Sequence, residues 1–200
     1  ILSSKGYGMF VDFYLSGNVI MNIGDGVSAR YYNPGDKVPA NYQLLLTFKD
    51  ESFLVFTVAM YGFISAYPDA VIDNKYYTIS RESISPLSDA YTEAEFEKLF
   101  AFAKKTLTAK ALLATEQRIP GVGNGVTQDI LFNAGIHPKQ KVFDLSDGQK
   151  GVLFKSLKDT LMAMTSGRGR DTQTDLYGNE GGYKTILSSK TWKNPCPRCG

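Results

Sequence analysis

Between Lys5 and Gly62 the apolar positions come in short, β-rich runs, the pattern expected of strands. Met9–Leu15 and Val19–Ile23 flank Ser16-Gly17-Asn18, which predicts a hairpin, and Gln43–Phe48 and Phe53–Val58 repeat the arrangement around Lys49-Asp50-Glu51-Ser52. Antiparallel strands of this length must stack as a sandwich or barrel to bury one face each. The stretch Tyr31–Asn41, with two prolines, reads as a loop. Past Ser83-Ile84-Ser85-Pro86-Leu87-Ser88 the period lengthens, and Thr92-Glu93-Ala94-Glu95 has the form of a capped helix start. Helices are predicted at about Glu93–Lys105, Ala109–Ala114, Val126–Ala134 and Ser146–Thr165, the last with Leu153, Leu157, Leu161 and Met164 as its apolar stripe. A glycine-rich stretch and a closing Cys pair follow. The fold class is therefore α+β: an antiparallel β domain over residues 1–85, a helical domain over 90–166, a glycine/arginine-rich loop over 167–193 and a cysteine knuckle over 194–200.

Composition narrows the class. A chain of 200 residues with 43% hydrophobic and 21% charged positions can bury a real core and is not a disordered polyelectrolyte. The net charge of +2 is unevenly spread, with six basic and nine acidic residues up to position 90 and sixteen basic and eleven acidic after it. The second half is thus the expected face for a polyanion. No run of eighteen apolar residues is present to span a membrane. The chain opens at Ile1 in strand-like sequence and ends one residue after a Cys pair, so the expectation is an internal piece of a longer protein.

Candidate chemistry gathers in Gln117–Lys141. Ile119-Pro120-Gly121-Val122-Gly123-Asn124-Gly125 is a glycine-rich turn, Val126, Ile130, Leu131 and Ala134 follow at helical spacing, and Gly135 and Pro138 close the helix. A glycine turn feeding a helix leaves backbone amides unpaired at the positive end of the helix dipole, which suits an anion such as phosphate. Asn124 adds an amide donor, and Arg118 is the one charged residue between Gln117 and Gln128. A plain helix cap ahead of a core helix is the alternative. His137, the single histidine, stands at the helix end before proline and reads as a capping group rather than a catalyst.

Gly121-Val122-Gly123-Asn124, the apolar helix and Ala134-Gly135-Ile136-His137-Pro138 resemble the helix-two-turn-helix of the formamidopyrimidine-DNA glycosylase and endonuclease VIII family. The order of β-sandwich, helical bundle and zinc knuckle is also that family's, with the first part of the sandwich and half of the zinc finger absent. The resemblance implies a DNA-repair enzyme acting on damaged duplex DNA as a monomer inside a bacterial cell. Its activity would be that of a bifunctional N-glycosylase and abasic-site lyase working through base extrusion and a Schiff base. It assigns the grip on the phosphate backbone to Asn124 with the adjoining Gly123 and Gly125, and leaves Glu116 and Gln117 competing for a further contact.

Further assignments follow from the same resemblance. Asn22 and Tyr61 match DNA-facing positions, Tyr61 as an aromatic wedge, and Arg168, Arg170 and Tyr183 fall in a loop that packs over an extruded base in relatives; a solvated loop with surface arginines is the alternative. Cys196-Pro197-Arg198-Cys199 is a knuckle for structural Zn2+ whose other two ligands the family supplies beyond Gly200, whereas a redox dithiol would need a βαβ context that is missing. The family's catalytic residues, an N-terminal proline amine and a neighbouring glutamate, have no counterpart in the chain, so the expected catalytic set is empty, with Lys5 the one candidate amine. Tyr7 stands where the family has a lysine, and Asp25 and Gly26 where it has intercalating side chains; an aspartate facing DNA is repulsive. A catalytically inactive damaged-DNA-binding homologue is therefore the second reading. A helix-hairpin-helix glycosylase, which the Ile119–Gly123 turn also resembles, lacks its lysine-bearing helix and four-cysteine cluster here.

Overall fold

The computed structural model describes residues 1–101 and 103–200. Among the described residues seven strands form two antiparallel sheets: β1 (Ser3–Tyr7), β2 (Phe10–Leu15), β3 (Val19–Ile23) and β7 (Ile64–Tyr67) in the order β1-β2-β3-β7, and β4 (Val27–Tyr32), β5 (Leu44–Thr47) and β6 (Phe53–Val58) in the order β4-β6-β5. Both expected hairpins are present, with Leu15 opposite Val19 and Thr47 opposite Phe53. Tyr31 and Tyr32 were expected in a loop but complete β4, where Tyr32 stacks on Phe53 across the ladder at 5.0 Å. Between the sheets Met21, Ile23, Leu54 and Phe56 form the buried centre, flanked by Val11, Phe13 and Leu15.

The first sheet is covered on its other face as well. Helix α1 (Lys75–Glu82), capped by the Asn74 side chain on the Tyr76 and Tyr77 amides, packs over it and sets Tyr77 edge-on against Phe10 at 5.6 Å. No helix was expected there, because Lys75-Tyr76-Tyr77-Thr78-Ile79 has a weak apolar stripe and two aromatics of high β propensity. Helix formation follows from the cap and from burial of Tyr77 and Ser80.

The helical half has its own core. Helix α2 (Glu93–Ala101) starts after Thr92, whose hydroxyl accepts from the Glu95 amide; the segment expected to continue to Lys105 includes Phe102, which lies outside the described residues. Helix α3 (Ala109–Ala114) has the expected bounds, and α4 (Asn124–Ala134) begins two residues before the predicted start. Gly135, in the left-handed conformation at φ 68°, ends α4 with the Ile136 amide returning to the Leu131 carbonyl. Helix α5 (Asp147–Ser166) opens on a reciprocal capping box between Ser146 and Gln149. Its Leu153 and Leu157 are fully buried against Phe96, Leu112, Ile119 and Ile130, each worth roughly 2 kcal/mol relative to exposure. No described helix is long and apolar enough to cross a membrane.

Candidate nucleic-acid interface

The glycine turn meets the β sandwich backbone to backbone. Gly8, at the β1–β2 turn with φ 58°, lies so close to Gly121 that a Cβ there would sit 3.0 Å from the Gly121 nitrogen, and Gly121 itself has φ 82°. Only glycine allows this approach and this conformation together. The turn runs directly into α4, where the cap residue Gly123 offers no side chain. The Asn124, Gly125 and Val126 amides therefore have no acceptor within the helix, and Asn124 is exposed beside them. Arg170 reaches over from the C-terminal loop, its Nη1 2.1 Å from where a Gly125 Cβ would stand. A cation thus reinforces the positive helix end, and Gly125 is the residue that gives it room. Gln117 Oε1 accepts weakly from the Gly121 amide at 3.4 Å, whereas Glu116 pairs with Arg118 at 2.8 Å; of the two, Gln117 is the one that faces the turn.

Other predicted site residues have different surroundings. Asn22 is a correction: at 1% exposure it points into the protein beneath α1, where its Nδ2 donates to Asp12 Oδ1 at 2.6 Å. Phe10, Asp12, Ile20 and Asn22 share the α1-covered face of the sheet, so period-two alternation points Asn22 inward. Tyr61 is 97% exposed and Met60 93%, at the tip of a turn braced on Gly26: the Ala59 amide donates to the Gly26 carbonyl at 2.8 Å. The Asp25 carboxylate bonds the adjacent Gly26 amide, beside that tip. Lys5 lies exposed on the edge strand β1.

The C-terminal loop is internally bonded. Asp175 accepts from the Tyr177 and Asn179 amides and from Asn179 Nδ2. The Tyr31 amide donates to the Leu176 carbonyl at 2.8 Å and Tyr31 meets Tyr177 edge-on, which ties the loop to β4. Between them lies a cleft of about 800 Å³ whose polar lining includes Arg30, Asn41, Thr57, Arg168 and Thr172. Tyr183 is half-buried, its hydroxyl pushed up to about 12 by burial and by the Asp129 carboxylate beside it. Asp129, 0% exposed on α4, accepts the Ile186 amide at 3.0 Å and the Leu187 amide at 2.8 Å. Sequence reasoning missed Asp129, although an acid among Val126, Ile130 and Leu131 is the one sign it leaves. His137 Nδ1 accepts from the Lys139 amide, so it caps the turn after α4 rather than the helix carbonyls.

At the chain end Arg198 donates to the Phe132 carbonyl at 2.8 Å, docking the Cys knuckle on the negative end of α4. Backbone amides of Arg198 and Cys199 pointing at Cys196 hold its thiol below the ordinary value, while Cys199, as donor to Cys196, is raised. Amides aimed at sulfur fit a thiolate ligand of zinc, but the described residues bring no third His, Cys, Asp or Glu to the pair. Cys196 and Cys199 could hold the ion only as half of a four-ligand set.

No family model matches the chain. Among curated proteins, the formamidopyrimidine-DNA glycosylase of Mycoplasma mobile is 26% identical over 212 aligned residues, covering 100% of this chain and 73% of that protein. The Streptococcus agalactiae protein of the same name is 28% identical over 203, covering 98% and 72%. Among solved structures, Lactococcus lactis Fpg in complex with an abasic-site DNA superposes with a TM-score of 0.79 at 20% identity, over 98% of this chain and 73% of that one. The chain is thus similar in sequence to formamidopyrimidine-DNA glycosylases over nearly its whole length and shares the α+β fold of their solved structure.

Proposed function

We propose that the protein works in base-excision repair, as a DNA N-glycosylase and abasic-site lyase that binds damaged duplex DNA as a monomer inside the bacterial cell. The observation that carries this reading is the positive start of α4: three amides without helical acceptors, exposed Asn124 and the Arg170 guanidinium on Gly125, with no carboxylate of the described residues bonded among them. Such a site suits a backbone phosphate, and the relatives' name supplies the substrate class. On this reading residues 1–85 and 90–166 act as two lobes, 167–193 is the loop over an extruded base, and 194–200 contributes two thiolates to a structural zinc. Zinc, when bound, would fix the knuckle on α4 and has no part in the chemistry. Tyr61 and Met60 are the exposed apolar pair suited to fill a vacated base stack. On this reading Arg168, in the cleft lining, Arg170, and Tyr183, beside Asp129, belong to the loop that packs over an extruded base.

The test is Asn124→Ala on an abasic-analogue duplex. Loss of one phosphate hydrogen bond of about 1.5 kcal/mol should weaken binding roughly tenfold, whatever the flanking sequence, and unchanged affinity at physiological salt would sink the proposal. A second reading, a DNA-binding homologue without catalysis, is favoured by Tyr7 at the lysine position: its hydroxyl is engaged by Tyr14 at 3.2 Å and offers no amine.

A further inference from the structure

Two cations converge on one tyrosine next to the glycine turn. Lys5 Nζ stands 5.0 Å from the centre of the Tyr7 ring, and Arg81 Cζ, from the last turn of α1, stands 6.0 Å from it. Both residues are exposed, and among the described residues neither forms an ion pair. The acid beneath them is spoken for: Asp12 is fully buried and receives Asn22 Nδ2 and the Tyr77 hydroxyl, each at 2.6 Å. The Glu82 side chain, exposed and next to Arg81 in sequence, makes no hydrogen bond or ion pair among the described residues.

A hydrogen-bonded frame lies beneath these cations. Tyr77 binds Asp12 from α1, Arg81 Nη1 donates to the Tyr77 hydroxyl at 3.5 Å, and the Tyr14 hydroxyl links Tyr7 at 3.2 Å to Asp12 at 3.5 Å. The Tyr14 hydroxyl is pushed up to about 12, first by its hydrogen bond with Tyr7 and then by burial, so at neutral pH it is a neutral partner that adds no negative charge. Among the described residues the Arg81 guanidinium donors not directed at Tyr77 have no partner. Because Tyr7 directly precedes Gly8, and Gly8 packs on Gly121, this cluster and the start of α4 belong to one continuous surface.

We propose that Lys5 and Arg81, framed by Tyr7, form a second phosphodiester clamp that holds another backbone phosphate of the duplex bound at Asn124. The clamp rests on the DNA-binding reading above and adds positive charge from β1 and α1 to that at the start of α4. Arginine suits the role, since its planar fork can span two phosphate oxygens while its stem lies against aromatic rings.

The experiment measures the salt dependence of affinity for an abasic-analogue duplex and for an undamaged duplex. Each lost phosphate contact lowers the slope of log K against log salt by about 0.9. Arg81→Gln and Lys5→Gln should each do so, and the double variant should lose about 1.8, equally on both duplexes because phosphate contacts carry no sequence information. Arg81→Lys should keep the slope; a loss equal to that of Arg81→Gln would point to a role in the fold and overturn the clamp. A double variant with the full slope, alongside an Asn124→Ala variant that binds weakly, overturns the clamp alone. If Asn124→Ala and the double variant both bind as the parent does, the DNA-binding reading and the clamp fail together.

Discussion

Asp129→Asn should loosen the segment that joins the helical half to the Cys knuckle. Asp129 is fully buried on α4, and its two oxygens accept the Ile186 and Leu187 amides at 3.0 and 2.8 Å. Hydrogen bonds to an ionised acceptor contribute about 1.5–3 kcal/mol each. Asparagine keeps one acceptor oxygen but turns an NH2 toward the other amide, so one bond is lost and a donor faces a donor. Leu187 is 38% exposed, which lets water reach part of this segment and lowers the penalty. A loss of about 2 kcal/mol is expected, and Asp129→Ala, which removes both acceptors, should cost more. The helix itself should survive, because Ile130 and Leu131 on the same turn remain packed in the core. The effect is therefore local opening, read by hydrogen exchange at Ile186 and Leu187: protection should fall roughly thirtyfold, while amides in α5 change little. Protection at both positions within threefold of the parent would refute the claim that Asp129 anchors this segment.

Three further outcomes are expected. Burial pushes the Asp171 carboxyl up, but the Thr185 hydroxyl and amide that it accepts outweigh this and hold it below the ordinary range. A folded-state value below the unfolded one gives stability that is complete above about pH 4 and lost as pH falls through the folded value. The gap in melting temperature between the parent and Asp171→Asn should then be steady from pH 6 to 5 and close on further acidification; a gap independent of pH would contradict it. A protein that adds two further thiolates to Cys196 and Cys199 should carry about one zinc per four-thiolate site and lose it with Cys196→Ser, whereas residues 1–200 alone should hold the metal weakly; unchanged zinc in the variant defeats the assignment. Borohydride trapping with an abasic-site oligonucleotide should give residues 1–200 no covalent adduct, since Lys5 is exposed on β1 and lacks the burial that activates an amine. A strong adduct abolished by Lys5→Ala would make Lys5 the nucleophile.

Local sequence was enough wherever a signal is confined to one turn or one period. Ser16-Gly17-Asn18 set the β2–β3 hairpin, Thr92 and Ser146 opened helices, and Gly135 closed α4, because caps and turns depend on residues only a few positions apart. The glycine turn that runs into a helix at Asn124 was legible for the same reason. Its partners were not. That Gly8 packs on Gly121, that Arg170 lies over Gly125 and that Arg81 shares the Tyr7 ring with Lys5 are meetings between distant segments. Asn22 shows the limit most clearly, since the short apolar run and its turn gave the strand but not which face α1 would cover. Asp12 and Asp129 stood in the sequence as acids interrupting apolar patterns, and burial explains why they are there: each satisfies donors from a segment more than fifty residues away. A buried carboxylate without those donors would carry its full desolvation cost, so it is the tertiary packing that turns these two acids into anchors.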